Sequence, residues 1–123
     1  MKPLKPSVYR SFYCAFAGIG NSIKSEINLK IHIFAAALAI GMGLFFKISS
    51  SEWLWIFLAI FLVLAAEIMN TAIESLSNLV SPDYHPLIKK TKDAAAGAVL
   101  LIAIFALICG LIIFLPKIIA TFF

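Results

Sequence analysis

From Ala94 to Leu115 the chain runs for twenty-two residues without a charge. Such a stretch satisfies its backbone in hydrocarbon only as a helix, and at ~1.5 Å per residue it crosses a bilayer core of ~30 Å. Its first turns, AAAGA, are small enough for another helix to approach closely. Two similar runs precede it. IHIFAAALAIGMGLFF, between Lys30 and Lys47, has sixteen residues and is short for a span. The flanking lysines extend its reach by burying their stems and carrying their charges to the interface. The other run, WLWIFLAIFLVLA, opens with the interfacial pair Trp53 and Trp55, and the serines of ISSSE before Glu52 read as helix caps. This gives spans at 30–47, 53–80 and 94–116, the second reaching into the cytoplasmic interface, with a cytoplasmic loop at 81–93.

Composition agrees with an all-α integral membrane protein. With 63% hydrophobic and 13% charged residues in 123, the chain lacks the polar surface of a soluble domain. It has no room for a large extramembrane domain, and 1–123 reads as a single domain. A net charge of +4 is modest, so the basic residues read as topology signals and phosphate ligands rather than a nucleic-acid surface. They concentrate in the N-terminal segment and between Pro82 and Asp93, which places both in the cytoplasm and the C-terminus opposite. Cys14 and Cys109 form no CxxC pair and read as small apolar residues. The sequence shows no cleavable signal peptide and no internal repeat.

Between Ser7 and Ser25, Val8, Phe12, Phe16, Ile19 and Ile23 recur every three or four residues. This predicts an amphipathic helix over 7–25, with Arg10, Asn21 and Lys24 off the apolar stripe. Tyr9, Phe12, Tyr13 and Phe16 suit a helix lying in the headgroup layer. GIGNSIKS, at Gly18–Ser25, is not a phosphate-binding P-loop, because Ile23 stands where glycine is required and no strand precedes it.

The second span carries an anomaly. Glu67, Asn70, Thr71 and Glu74 share one helix face at spacings of three, four and seven. At ~1.5 Å per residue Glu67 lies roughly 21 Å below Trp53, near the inner hydrocarbon edge, and Glu74 roughly 32 Å below it, at the water boundary. A charge at that depth is costly, so the stripe faces protein or trapped water rather than lipid. The two acids, about 10 Å apart along the axis, cannot share one metal ion at oxygen distances of ~2.0–2.6 Å. Glu67, partly desolvated, suits a general base. Glu74 suits Mg²⁺ if a second carboxylate joins it, and Glu26 is the only acid in the N-terminal segment. SPDYHP and KKTKD then supply a proline-bounded turn, an aromatic ring, an imidazole and three lysines for phosphates. Together these features point to phosphoryl transfer to an alcohol that resides in the membrane.

Each feature alone has a plainer reading. A membrane Glu with an Asn can glue helices, Lys89, Lys90 and Lys92 can set topology, and Tyr84 and His85 can be ordinary interfacial residues. The rival function is a small proton-coupled transporter using Glu67 as carrier. It leaves Glu26, Glu74 and the lysines without a role. A noncatalytic assembly subunit is a third reading, and it would bind no nucleotide.

The run Glu67-Ile-Met-Asn-Thr-Ala-Ile-Glu74, then Asp83-Tyr-His85, then Lys92-Asp93-Ala-Ala-Ala-Gly97-Ala-Val resembles the prokaryotic diacylglycerol kinase and undecaprenol kinase family. The resemblance extends from about Phe12 to Lys117. It implies a homotrimer of three-span subunits, with active sites shared between neighbours and MgATP entering from the cytoplasm. Glu67 matches the catalytic base, and with Asn70, its neighbour in the motif, it is expected to contact the lipid substrate. Glu26 and Glu74 match metal-binding carboxylates that also meet ATP, and Asp83, Tyr84, His85, Lys92 and Asp93 match nucleotide contacts. Members commonly carry an acid at the position of Asn78. The family's N-terminal arginine register is occupied by Ser7, which leaves Arg10, one helical turn later, as the candidate lipid contact. SPDYHPL, KDAAAGAVLL and IIFLPKI resemble the branch whose usual acceptor is undecaprenol, with diacylglycerol the close alternative.

Overall fold

The computed structural model describes residues 7–123, which form four helices: α1 (Val8–Ser25), α2 (Ile27–Phe46), α3 (Ser50–Val80) and α4 (Pro86–Phe122). The last three are long and apolar enough to cross a membrane. The spans start earlier and run longer than expected: α2 begins at Ile27, α3 at Ser50, and α4 continues past Pro116 to Phe122.

The ends of the helices have local causes. Ser7 caps α1, its hydroxyl accepting the Arg10 N–H at 3.1 Å. Glu26 alone separates α1 from α2, with extended backbone dihedrals. At the α2–α3 corner Lys47 takes the left-handed conformation (φ 53°), and the Ile48 N–H reaches back to the Gly43 carbonyl at 3.2 Å. Glycine is required at 43 for space: a Cβ there would lie 2.6 Å from Cη2 of Trp53. Ser49 and Glu52 form a reciprocal capping box, with bonds of 3.2 and 3.0 Å, as the serines ahead of Glu52 promised.

The turn between α3 and α4 corrects one expectation. The polarity of 81–93 predicts a loop over that whole range, yet only Ser81–His85 is non-helical. Pro86 stands in the first turn of α4, where its missing N–H costs nothing, and His85 Nδ1 accepts the Leu87 N–H at 3.1 Å. The lysines therefore lie on a helix, and Thr91 anchors its hydroxyl on the Leu87 carbonyl.

Helix α3 packs most extensively on α4 and less on α2, while α1 touches the bundle lightly and buries no residue. A small core of Ile48, Ile56, Ile113 and Phe114 closes the α2–α3 corner end. Nearby, Lys117 Nζ bridges Glu52 Oε2 at 2.6 Å, tying α4 to the start of α3. Most large apolar side chains are exposed in the single chain, so lipid or other helices must cover them.

Candidate functional site

The buried face of α3 changes character along its length. Ile56, Ala59 and Val63 are apolar; Glu67, Asn70 and Ser77 continue the same face as buried polar residues. Helical periodicity therefore turns toward the protein the side chains that lipid could not solvate. Glu67 is only 3% exposed and Asn70 8%.

Hydrogen bonds along this stripe are directional. Thr71 Oγ1 donates to the backbone carbonyl of Glu67 at 3.1 Å, not to its carboxylate. Asn70 Nδ2 donates to Glu74 Oε1 at 3.2 Å, while Asn70 Oδ1 is buried without a partner among the described residues. His32 of α2 brings Nε2 to 3.9 Å from Glu67 Oε2. Sequence reasoning passed over His32 as part of an apolar run; an ionisable residue inside a span was the available signal.

The expected nucleotide contacts gather around the α3–α4 turn. Asp83, Tyr84, His85, Lys92 and Asp93 line one concavity of about 330 Å³. Lys89, one of the three lysines expected to meet phosphates, also lines it and pairs with Asp93 at 2.6 Å. Lys92 Nζ donates to Asn78 Oδ1 at 2.5 Å, linking the concavity to α3 one turn beyond Glu74. Asn78 is neutral and Lys92 forms no ion pair among the described residues, which leaves its charge available to a phosphate.

Glu67, Asn70 and Glu74 line the α3 stripe rather than this concavity. Glu26 sits half-buried at the α1–α2 junction, and Arg10 is exposed on α1. Among the described residues, no three His, Cys, Asp or Glu side chains converge as a preformed metal nest. Oxygen donors still suit Mg²⁺, which is held by one or two carboxylates plus substrate phosphates, and the orphaned Asn70 Oδ1 beside Glu74 marks a place short of a partner.

Comparison with known proteins adds an independent line. Residues 13–114 match the family model described as prokaryotic diacylglycerol kinase; Arg10 lies outside the matched stretch. An undecaprenol kinase of Bacillus subtilis (strain 168) is 42% identical over 109 residues, covering 89% of each chain. A diacylglycerol kinase of Synechocystis sp. is 36% identical over 116 residues, covering 94% of this chain and 66% of that one. A diacylglycerol kinase of Helicobacter pylori (strain 26695) is 39% identical over 54 residues, 44% of this chain and 42% of the relative. The family match spans both the α3 stripe that buries Glu67 and the lysine-lined concavity at the α3–α4 turn: the chain belongs to the prokaryotic diacylglycerol kinase family and is a lipid kinase.

Proposed function

We propose that this protein transfers the γ-phosphoryl group of MgATP to the primary hydroxyl of a membrane lipid, with undecaprenol preferred over diacylglycerol. The observation that carries the reading is the burial of Glu67 on the polar half of the α3 face; a helical rise of roughly 21 Å from Trp53 supports a position near the inner hydrocarbon edge, where a lipid hydroxyl would be anchored. The preference for undecaprenol is supported by the 42% identity over most of both chains to the relative of that name. The transporter reading gains nothing from family membership.

In the proposed reaction Glu67 takes the proton of the lipid hydroxyl as its oxygen attacks the γ-phosphorus. The bond from that phosphorus to the β–γ bridging oxygen breaks, and ADP departs. Asn70 turns Glu74 toward the nucleotide by donating to its carboxylate. Lys92, with Asp83, Tyr84, His85 and Asp93, holds the nucleotide around the turn. Glu26 and Glu74 would hold Mg²⁺, which when bound neutralises charge on the phosphate oxygens. Arg10, on a helix α1 lying along the membrane surface, meets the lipid headgroup region.

We assign the chain to the bacterial cytoplasmic membrane as one lipid kinase domain, 1–123, with its site facing the cytoplasm. The bias of basic residues toward the N-terminal segment and the α3–α4 turn supports that orientation. Glu67, Asn70 and Ser77 are already buried within one subunit, and Thr71 and Glu74 are half-buried, which corrects the expectation that neighbours must enclose the stripe; the homotrimer is implied by the resemblance alone. Labelling of undecaprenol and diacylglycerol from γ-labelled ATP, side by side in mixed micelles, tests the function. Faster labelling of undecaprenol is expected; much faster labelling of diacylglycerol overturns the preference, and labelling of neither overturns the function.

A further inference from the structure

The polar neighbours of Glu67 on its own helix are committed elsewhere. Thr71 spends its hydroxyl proton on the Glu67 backbone carbonyl, and the Asn70 amide goes to Glu74. The carboxylate that must accept a proton is thus left without an intrahelical partner to fix its rotation. Across the helix gap stands His32, its Nε2 3.9 Å from Glu67 Oε2 and its side chain about a quarter exposed. Among the described residues this is the one basic group within ion-pair distance of Glu67.

The surroundings of His32 make it more conspicuous. Among the described residues it is the one polar side chain lining a groove of about 380 Å³ between α2, α3 and α4, whose other lining residues are apolar, among them Ala35, Ala39, Ile56, Val63 and Ala103. An imidazole facing an apolar groove within a membrane span loses hydration and needs a partner that returns the loss. Glu67 is that partner. Catalytic bases recur with this logic, a third group fixing the base so that one defined atom meets the reactant.

We infer that His32 is a positioning residue of the kinase reaction, holding Glu67 Oε2 through its Nε2–H so that Oε1 faces the acceptor hydroxyl. The inference rests on the reading of Glu67 as the general base. His32 touches neither phosphate nor the reacting oxygen and acts only through the carboxylate. The 3.9 Å separation is long for a hydrogen bond, so positioning by His32 requires it to shorten in the reacting complex.

The test is a double-mutant cycle on the full chain in mixed micelles, with kcat and the two KM values measured separately. His32→Ala should lower kcat by ~10- to 100-fold, the scale of misplacing a catalytic group by about an ångström, with KM for ATP unchanged. His32→Gln, which keeps an N–H donor, should recover part of that loss. In the Glu67→Gln background His32→Ala should cost almost nothing further, because a residue that acts through Glu67 has nothing left to position. Equal losses in both backgrounds, or His32→Ala with wild-type kcat, overturn the inference while leaving Glu67 as base. An unimpaired Glu67→Gln enzyme overturns both. If His32→Ala does not fold, as judged by its circular dichroism in micelles, the same cycle is run with His32→Gln, whose loss should be smaller and should likewise vanish in the Glu67→Gln background.

Discussion

Asn70 donates its side-chain amide to the carboxylate of Glu74, one turn further along α3, at 3.2 Å, while its carbonyl oxygen is buried and finds no partner among the described residues. The bond couples the buried part of the stripe to its half-buried end at Glu74. Asn70→Ala should therefore disturb Glu74. A hydrogen bond to a charged group contributes about 1.5–3 kcal/mol, so KM for MgATP should rise ~10- to 100-fold. Nucleotide titration in micelles checks this; an unchanged KM shows that Glu74 needs no such support.

Removing either proposed metal carboxylate should produce a defect that the ion itself relieves. Glu74→Gln and Glu26→Gln each remove one anionic ligand, so the Mg²⁺ concentration giving half-maximal activity should rise severalfold or more, with partial recovery at high Mg²⁺. Activity measured across a Mg²⁺ series is the check, and a loss insensitive to Mg²⁺ would remove that residue from the metal site.

Lys89 and Lys92 differ in how their charges are balanced. Lys89 is paired with Asp93, whereas Lys92 rests on the neutral Asn78. Asn78→Asp should neutralise Lys92 and raise KM for MgATP by roughly 3- to 10-fold, the more so at low ionic strength, where screening is weak. Steady-state kinetics at two salt concentrations measure the effect.

The α2–α3 corner predicts a stability defect separate from function. Gly43→Ala places a methyl group 2.6 Å from the Trp53 ring. Overpacking of this kind costs typically ~1–3 kcal/mol, so the melting temperature in micelles should fall by several degrees. Turnover of the folded fraction should stay near wild type.

Much of this arrangement was legible because its spacing is local. Glu67, Asn70 and Glu74 share a face by helical period alone, and the capping box at Ser49 and Glu52 is a four-residue pattern. The residues that escaped depend on contacts between helices. His32 gains its meaning from a carboxylate on another helix, and Gly43 from the Trp53 ring that lies against it. The extent of α4 was obscured differently: polar composition near the lysines outweighed the helix-starting signal of His85 followed by Pro86. That start sets which faces Lys89 and Lys92 present to the turn.

The central claim is that Glu67 is the base and takes little part in holding nucleotide. Glu67→Gln preserves size and hydrogen-bonding capacity but removes the proton acceptor. With saturating lipid and MgATP its kcat should fall by at least ~10²-fold, the usual scale for a positioned general base, while KM for ATP stays within about twofold of wild type. High Mg²⁺ should not restore it. A Glu67→Gln enzyme that turns over at the wild-type rate would contradict the account.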